Sequence, residues 1–120
     1  MIHHLGVRAS DFALSKVFYM EALRPLGYVC FYEADEVAEF GHESQQGPTV
    51  SLHAGAPTER FHIAFQAADR DTVNACYAAA IGAGGHDNGP PGPRPRYRAY
   101  CAFVLDPDGN NIEAVIKEVT

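Results

Sequence analysis

His4, His62 and Glu113 are the side chains whose types and placement carry chemistry. Each histidine stands near the start of a short alternating apolar run, Leu5 and Val7 in one case, Ile63 and Phe65 in the other. Alternation of this kind predicts a half-buried strand. Strand side chains point to opposite faces in turn. If Leu5, Val7, Ile63 and Phe65 face a helix, His4, Gly6 and Arg8 face away from one, and so do His62, Ala64 and Gln66. His3 then falls on the helix side with Leu5. Ile112, Ala114 and Ile116 form a later apolar set, which leaves Glu113 on the opposite face. Two imidazoles and one carboxylate are the ligand set of an open divalent-metal site. A strand histidine alone is more often structural. Two of them, placed alike and joined by a register-matched glutamate, weigh for metal; the competing reading is inherited, empty positions.

The elements that must position these groups are a repeat. His4 to Gly27 (HLGVRASDFALSKVFYMEALRPLG) and His62 to Gly85 (HIAFQAADRDTVNACYAAAIGAGG) align without a gap. They match at His4/His62, Ala9/Ala67, Asp11/Asp69, Tyr19/Tyr77, Ala22/Ala80 and Gly27/Gly85. The period is half the chain, so one unit is duplicated. In each copy the strand gives way to Ser10-Asp11 or Asp69, whose side-chain oxygens can accept the free N–H groups at a helix start. Helical spacing follows: Phe18, Tyr19, Ala22, Leu23 and Leu26 in one copy, Val73, Cys76, Tyr77, Ala80 and Ile81 in the other. Gly27 and Gly84-Gly85 let the backbone turn out.

The remaining strands follow in order. Gly27 to Tyr32 is aromatic and β-branched, Val37 to His42 is extended, ESQQGP is a loop, and Thr49 to Ala54 closes the first half. GAPTER, residues 55–60, links the halves. In the second half HDNGPPGPRPR is dense in Pro and Gly and is expected to be a stiff loop. Tyr97 to Leu105 is strand-like, Asp106-Pro107-Asp108-Gly109 suits a type I turn, and Asn111 to Val119 is a returning strand. The pattern is α+β, one domain over residues 1–120, with βαβββ modules at 1–56 and 60–120.

A chain of 120 residues with 47% hydrophobic and 20% charged residues is globular and large enough for a core. A net charge of -6 argues against nucleic acid or an anionic membrane as partner. No run is long enough to span a bilayer, and the N-terminus lacks the pattern of a signal peptide. The three cysteines, Cys30, Cys76 and Cys101, have no C-x-x-C spacing and read as packing residues in a reducing cytoplasm.

Other polar groups are weaker candidates. Tyr97 and Tyr100 can donate to a substrate oxygen or simply pack. Arg94, with Arg96 and Arg98 beside it, can hold a carboxylate or phosphate, or form a solvated basic patch. His42 and His86 read as solvated residues, and Asp11 and Asp69 as helix caps. No residue stands out as a general base.

On His4, on Phe61-His62-Ile63-Ala64-Phe65 and on the run from Phe103 to Val115 (FVLDPDGNNIEAV), the sequence resembles the vicinal oxygen chelate superfamily, also called the glyoxalase/bleomycin resistance/dioxygenase family. The resemblance covers nearly the whole chain. It implies two βαβββ modules forming a cupped, partly open mixed β-barrel with helices outside, a site in the cup, and a homodimer. It implies a divalent ion (Zn, Mn, Fe, Ni or Co) on His4, His62 and Glu113, with Glu113 catalytic, acting on a small oxygen-chelating substrate. The fourth-strand position, a glutamate in glyoxalase I, falls at Ser51, a poor ligand. The three-ligand pattern is closer to extradiol dioxygenases and fosfomycin-resistance thiol transferases. His53, of the same parity as Ser51, is a replacement ligand, a substrate contact or a surface residue. Family chemistry includes enediolate isomerisation, epimerisation, ring-cleaving dioxygenation and thiol addition. The alternative is a metal-free binding protein of the bleomycin-resistance type.

Overall fold

Leu5–Ala9 forms β1, whose alternation buries Val7 and Ala9 and exposes Gly6 and Arg8. The helix α1, Phe12–Leu23, begins where the carboxylate of Asp11 accepts from the Leu14 N–H at 3.1 Å. It ends in a 3-10 turn, Arg24–Leu26, closed by Gly27 at φ 87°. Three antiparallel-linked strands follow: β2 (Tyr28–Ala34), β3 (Val37–His42) and β4 (Val50–Ala54). The second half repeats this with β5 (His62–Gln66), α2 (Arg70–Gly82), β6 (His86–Arg94), β7 (Ala99–Leu105) and β8 (Asn111–Lys117). Asp69 caps α2 as Asp11 caps α1, accepting from the Thr72 N–H at 2.8 Å. The structure is a computed structural model and describes residues 2–58 and 60–118.

The strands make two four-stranded mixed sheets, ordered β1-β4-β3-β2 and β5-β8-β7-β6. In both, the first strand runs parallel to the last and the others are antiparallel. The fold is therefore α+β, two βαβββ modules. Each helix covers one face of its own sheet, and α1 also packs on α2. Phe18, Tyr19, Leu23, Phe40, Leu52 and Val73 are the large, fully enclosed apolar side chains of the core. The face of each sheet turned away from its helix stays open.

Two expectations are corrected here. The Pro/Gly run is not a loop but the edge strand β6, paired with β7 from His86↔Leu105 to Arg94↔Ala99. Proline is tolerated at a sheet edge because its missing N–H breaks no ladder on the solvent side. The register shifts around Gly89, which has φ 148°, absorb the irregularity. Ser10 does not cap α1: its hydroxyl donates to Asp108 at 2.5 Å, which ties the start of the first helix to the β7–β8 turn. No helix among the described residues is long and apolar enough to cross a membrane.

Candidate functional site

The open face of the second sheet is built by register. Ala64 on β5, Glu113 on β8 and Phe103 on β7 are direct neighbours. Two residues before Ala64, His62 lies on the same face. Its Nε2 donates to Glu113 Oε1 at 2.8 Å. The carboxylate side chain is 13% exposed and the imidazole 52%, so the pair presents its donors to an open surface from a half-buried base. The Phe103 ring lies tilted against His62, with centroids 6.1 Å apart. Arg94 folds back from the edge strand over Phe103, its guanidinium 5.8 Å from the ring centre. Arg94 donates to the carbonyls of Pro90 at 3.0 Å and Pro93 at 3.4 Å, which fixes the head. A Cβ on Gly92 would lie 3.0 Å from that head, so the glycine leaves room for it. Cys101 is buried beneath Glu113 and Arg94; burial first, and then the Glu113 charge, push its thiol up, with Arg94 opposing.

The first sheet carries the pseudo-equivalent face. Gly6 on β1, Ser51 on β4 and Glu39 on β3 are direct neighbours. Ser51 therefore occupies the place of Glu113, as the repeat implies. Ser51 Oγ donates to Glu39 Oε2 at 2.9 Å. His53 is exposed, between Arg8 and Val37.

The other sequence candidates fall in different places. His4 precedes β1 and is exposed, its Nδ1 facing that of His3 at 2.9 Å. Strand alternation does not reach back beyond Leu5, which is why His3 sits beside His4 rather than on the helix side. Among the described residues no three His, Cys, Asp or Glu side chains gather closely enough to hold one ion. His62 and Glu113 thus meet, while His4 does not join them within one chain. Tyr100 is not on the open face. Its hydroxyl donates to Asn74 at 2.7 Å and Arg70 lies over its ring at 4.5 Å, because Cys101 and Phe103 take the Glu113 side and Tyr100 takes the helix side. Tyr97 lies in a 3-10 turn, 63% exposed. His42 is half-buried and bonds Ser44 at 2.7 Å, a turn contact rather than a solvated group. His86 is exposed.

The sequence reading missed Glu39, Phe103 and Cys101. Parity would have found Glu39, since Ala38 and Phe40 are buried and Glu39 lies between them.

His62 Nε2 and Glu113 Oε1 suit a divalent ion by chemistry and by convergence: a nitrogen and a carboxylate oxygen already share one point on an open face.

The family model described as Glyoxalase/Bleomycin resistance protein/Dioxygenase superfamily matches residues 1–114. Among solved structures, a glyoxalase/bleomycin resistance protein from Albidiferax ferrireducens T118 is 28% identical, with TM-score 0.79, over 93% of this chain and 94% of that one. A glyoxalase-related enzyme from Fulvimarina pelagi shares the fold at 19% identity and TM-score 0.75, over 96% and 86%. A glyoxalase I mutant from Zea mays is 21% identical with TM-score 0.70; the match covers 98% of this chain but 45% of the maize chain. No curated protein matches the sequence.

Proposed function

The chain belongs to the glyoxalase/bleomycin resistance protein/dioxygenase superfamily, and on that premise we propose that it is a divalent-metal enzyme that works as a homodimer on a small substrate with two neighbouring oxygens. The contact of His62 with Glu113 at 2.8 Å carries this reading. It sets two donors of the right chemistry on an open sheet face. Among the described residues no third His, Cys, Asp or Glu comes within reach in one chain, so the third ligand is assigned to His4 on the other module. A second copy supplies it if the first sheet of one protomer faces the second sheet of its partner. That one chain aligns with less than half of the maize glyoxalase I polypeptide favours two copies per unit.

His62, Glu113 and the partner's His4 would hold the ion, Zn, Mn, Fe, Ni or Co. When bound, such an ion supplies Lewis-acid stabilisation of negative charge developing on a substrate oxygen. The chain's own groups do the rest. Arg94 offers N–H donors to an anionic group of the substrate. Phe103 gives that substrate an apolar floor. Cys101, buried and with its thiol pushed up, stays protonated and does not compete as a nucleophile. His53 and Tyr97, both exposed, are offered as further substrate contacts.

The test is metal analysis of protein purified without chelator. Stoichiometric metal that disappears in His62→Ala and Glu113→Ala supports the proposal. Metal-free wild-type protein whose melting temperature ignores all five ions overturns it.

One observation favours a second reading. Beside His62 lies a hollow of about 500 Å3 lined by Leu5, Tyr28, Val50, Phe61, Ile63 and Phe65. An apolar hollow of that size suits capture of an aromatic ligand without metal. Tight binding of aromatic compounds by protein stripped of metal would favour it.

A further inference from the structure

The two open faces carry the same device in different strands. On the second sheet, Glu113 projects from β8 between Ala64 and Phe103. On the first, the pseudo-equivalent position on β4 is Ser51, between Gly6 and Glu39. Glu39 thus occupies the place of Phe103. Neighbouring strands are about 4.8 Å apart. A glutamate side chain spans that gap, and Glu39 does so: its Oε2 sits over Ser51, held by the Ser51 hydroxyl at 2.9 Å. Ser51 is 6% exposed, and its hydroxyl anchors the carboxylate from below. On the other flank, a Cβ on Gly6 would meet nothing within 4 Å, so the space beside this carboxylate is open.

We infer that Glu39 is a metal ligand: the carboxylate of the first module, delivered from β3 onto the position that Ser51 has vacated on β4. The inference rests on the metal reading above. It gives the centre a ligand set of two imidazoles and two carboxylates, one of each from each module, with Ser51 as the positioning residue for Glu39.

The test uses full-length protein stripped of metal and titrated with Co2+ alone, followed by calorimetry and by the visible absorption of bound Co2+. Glu39→Gln keeps a carbonyl oxygen to accept from Ser51, so it removes the ligand charge while leaving the hydrogen bond. It is expected to weaken Co2+ binding by tenfold or more, on the order of what even outer supporting groups contribute, and to change the Co2+ spectrum. Adding Ser51→Glu to Glu39→Gln puts the carboxylate back on β4 and is expected to restore binding and spectrum. Circular dichroism and melting curves check that each variant folds. If Glu39→Gln binds Co2+ as the wild type does while His62→Ala does not, the Glu39 role falls and the metal reading stands. Loss in Glu39→Gln that Ser51→Glu fails to restore also overturns it. Wild-type protein that binds no Co2+ overturns both.

Discussion

The phenol of Tyr19 on α1 donates to the Asp106 carboxylate in the β7–β8 turn at 2.5 Å, joining the first module's helix to the second module's sheet. Both groups are buried, at 1% and 3% exposure. Asp106 also accepts from the backbone N–H groups of Asp108 and Asn110 and from the Asn110 amide. Asn110 in turn accepts from the Phe61 N–H at 3.1 Å, just ahead of His62. Burial, and then the Asp106 charge, hold the Tyr19 phenol far above its ordinary range, so it remains a donor.

Removing members of this network separates its parts. Tyr19→Phe leaves Asp106 three donors and is expected to cost about 1–2 kcal/mol. Asp106→Ala strands the Tyr19 hydroxyl and the turn amides together and is expected to cost about 3 kcal/mol or more. Urea midpoints for the two variants check the order. Equal losses would show that Tyr19 alone carries the contact.

Gly85 is expected to be intolerant of any side chain. A Cβ there would lie 2.5 Å from Val104 Cγ1, 2.7 Å from Phe18 Cε1 and 2.8 Å from the Ala80 carbonyl. Gly85→Ala should cost about 1–3 kcal/mol by overpacking. Gly82→Ala, in open space, provides the control: its Cβ meets nothing within 4 Å. Thermal melts of the pair give the comparison.

The cap of α2 gives a pH dependence with a definite sign. The hydrogen bonds from the Thr72 side chain and then its backbone N–H hold the Asp69 carboxyl below its ordinary range. A depressed folded-state pKa means stabilisation that is present above the unfolded value. It is lost as pH falls through the folded value. Asp69→Ala should therefore lower the melting temperature at neutral pH and lose that effect in acid. A gap between variant and wild type that stays constant from pH 7 to pH 2 would refute this.

Thiol labelling should rank the cysteines. Burial pushes the Cys76 thiol up to about 11 and raises that of Cys101 as well. Cys30 is only half-buried. In native protein at pH 8, iodoacetamide followed by mass spectrometry should mark Cys30 first. Prior labelling of Cys76 would mean that α2 opens more readily than its packing implies.

Much of this architecture was legible before any coordinates. The alignment of His4 with His62 and of Ser51 with Glu113 reappears as strand register, because Gly6↔Ser51 and Ala64↔Glu113 are the same pairing in two sheets. Alternation also put His62 and Glu113 on one face. Three things were hidden, each for a physical reason. Apolar alternation is absent from residues 86–94, where Pro and Gly read as a stiff loop; only pairing with β7 makes that run a strand. Alternation was carried back to His3 and His4, outside the strand that would enforce it. Glu39 showed the right parity, but its meaning needs the partner strand, since Ser51 and Glu39 are neighbours only across β3 and β4.

The edge strand β6 has a consequence for how copies of this protein meet. Pro90, Pro91 and Pro93 offer no backbone N–H, so a foreign strand laid along that border finds few donors to lock onto. The opposite border of the first sheet is partly stoppered too, for Thr58 exchanges hydrogen bonds with Arg8. Of the four sheet edges, these two therefore give an incoming strand little to pair with.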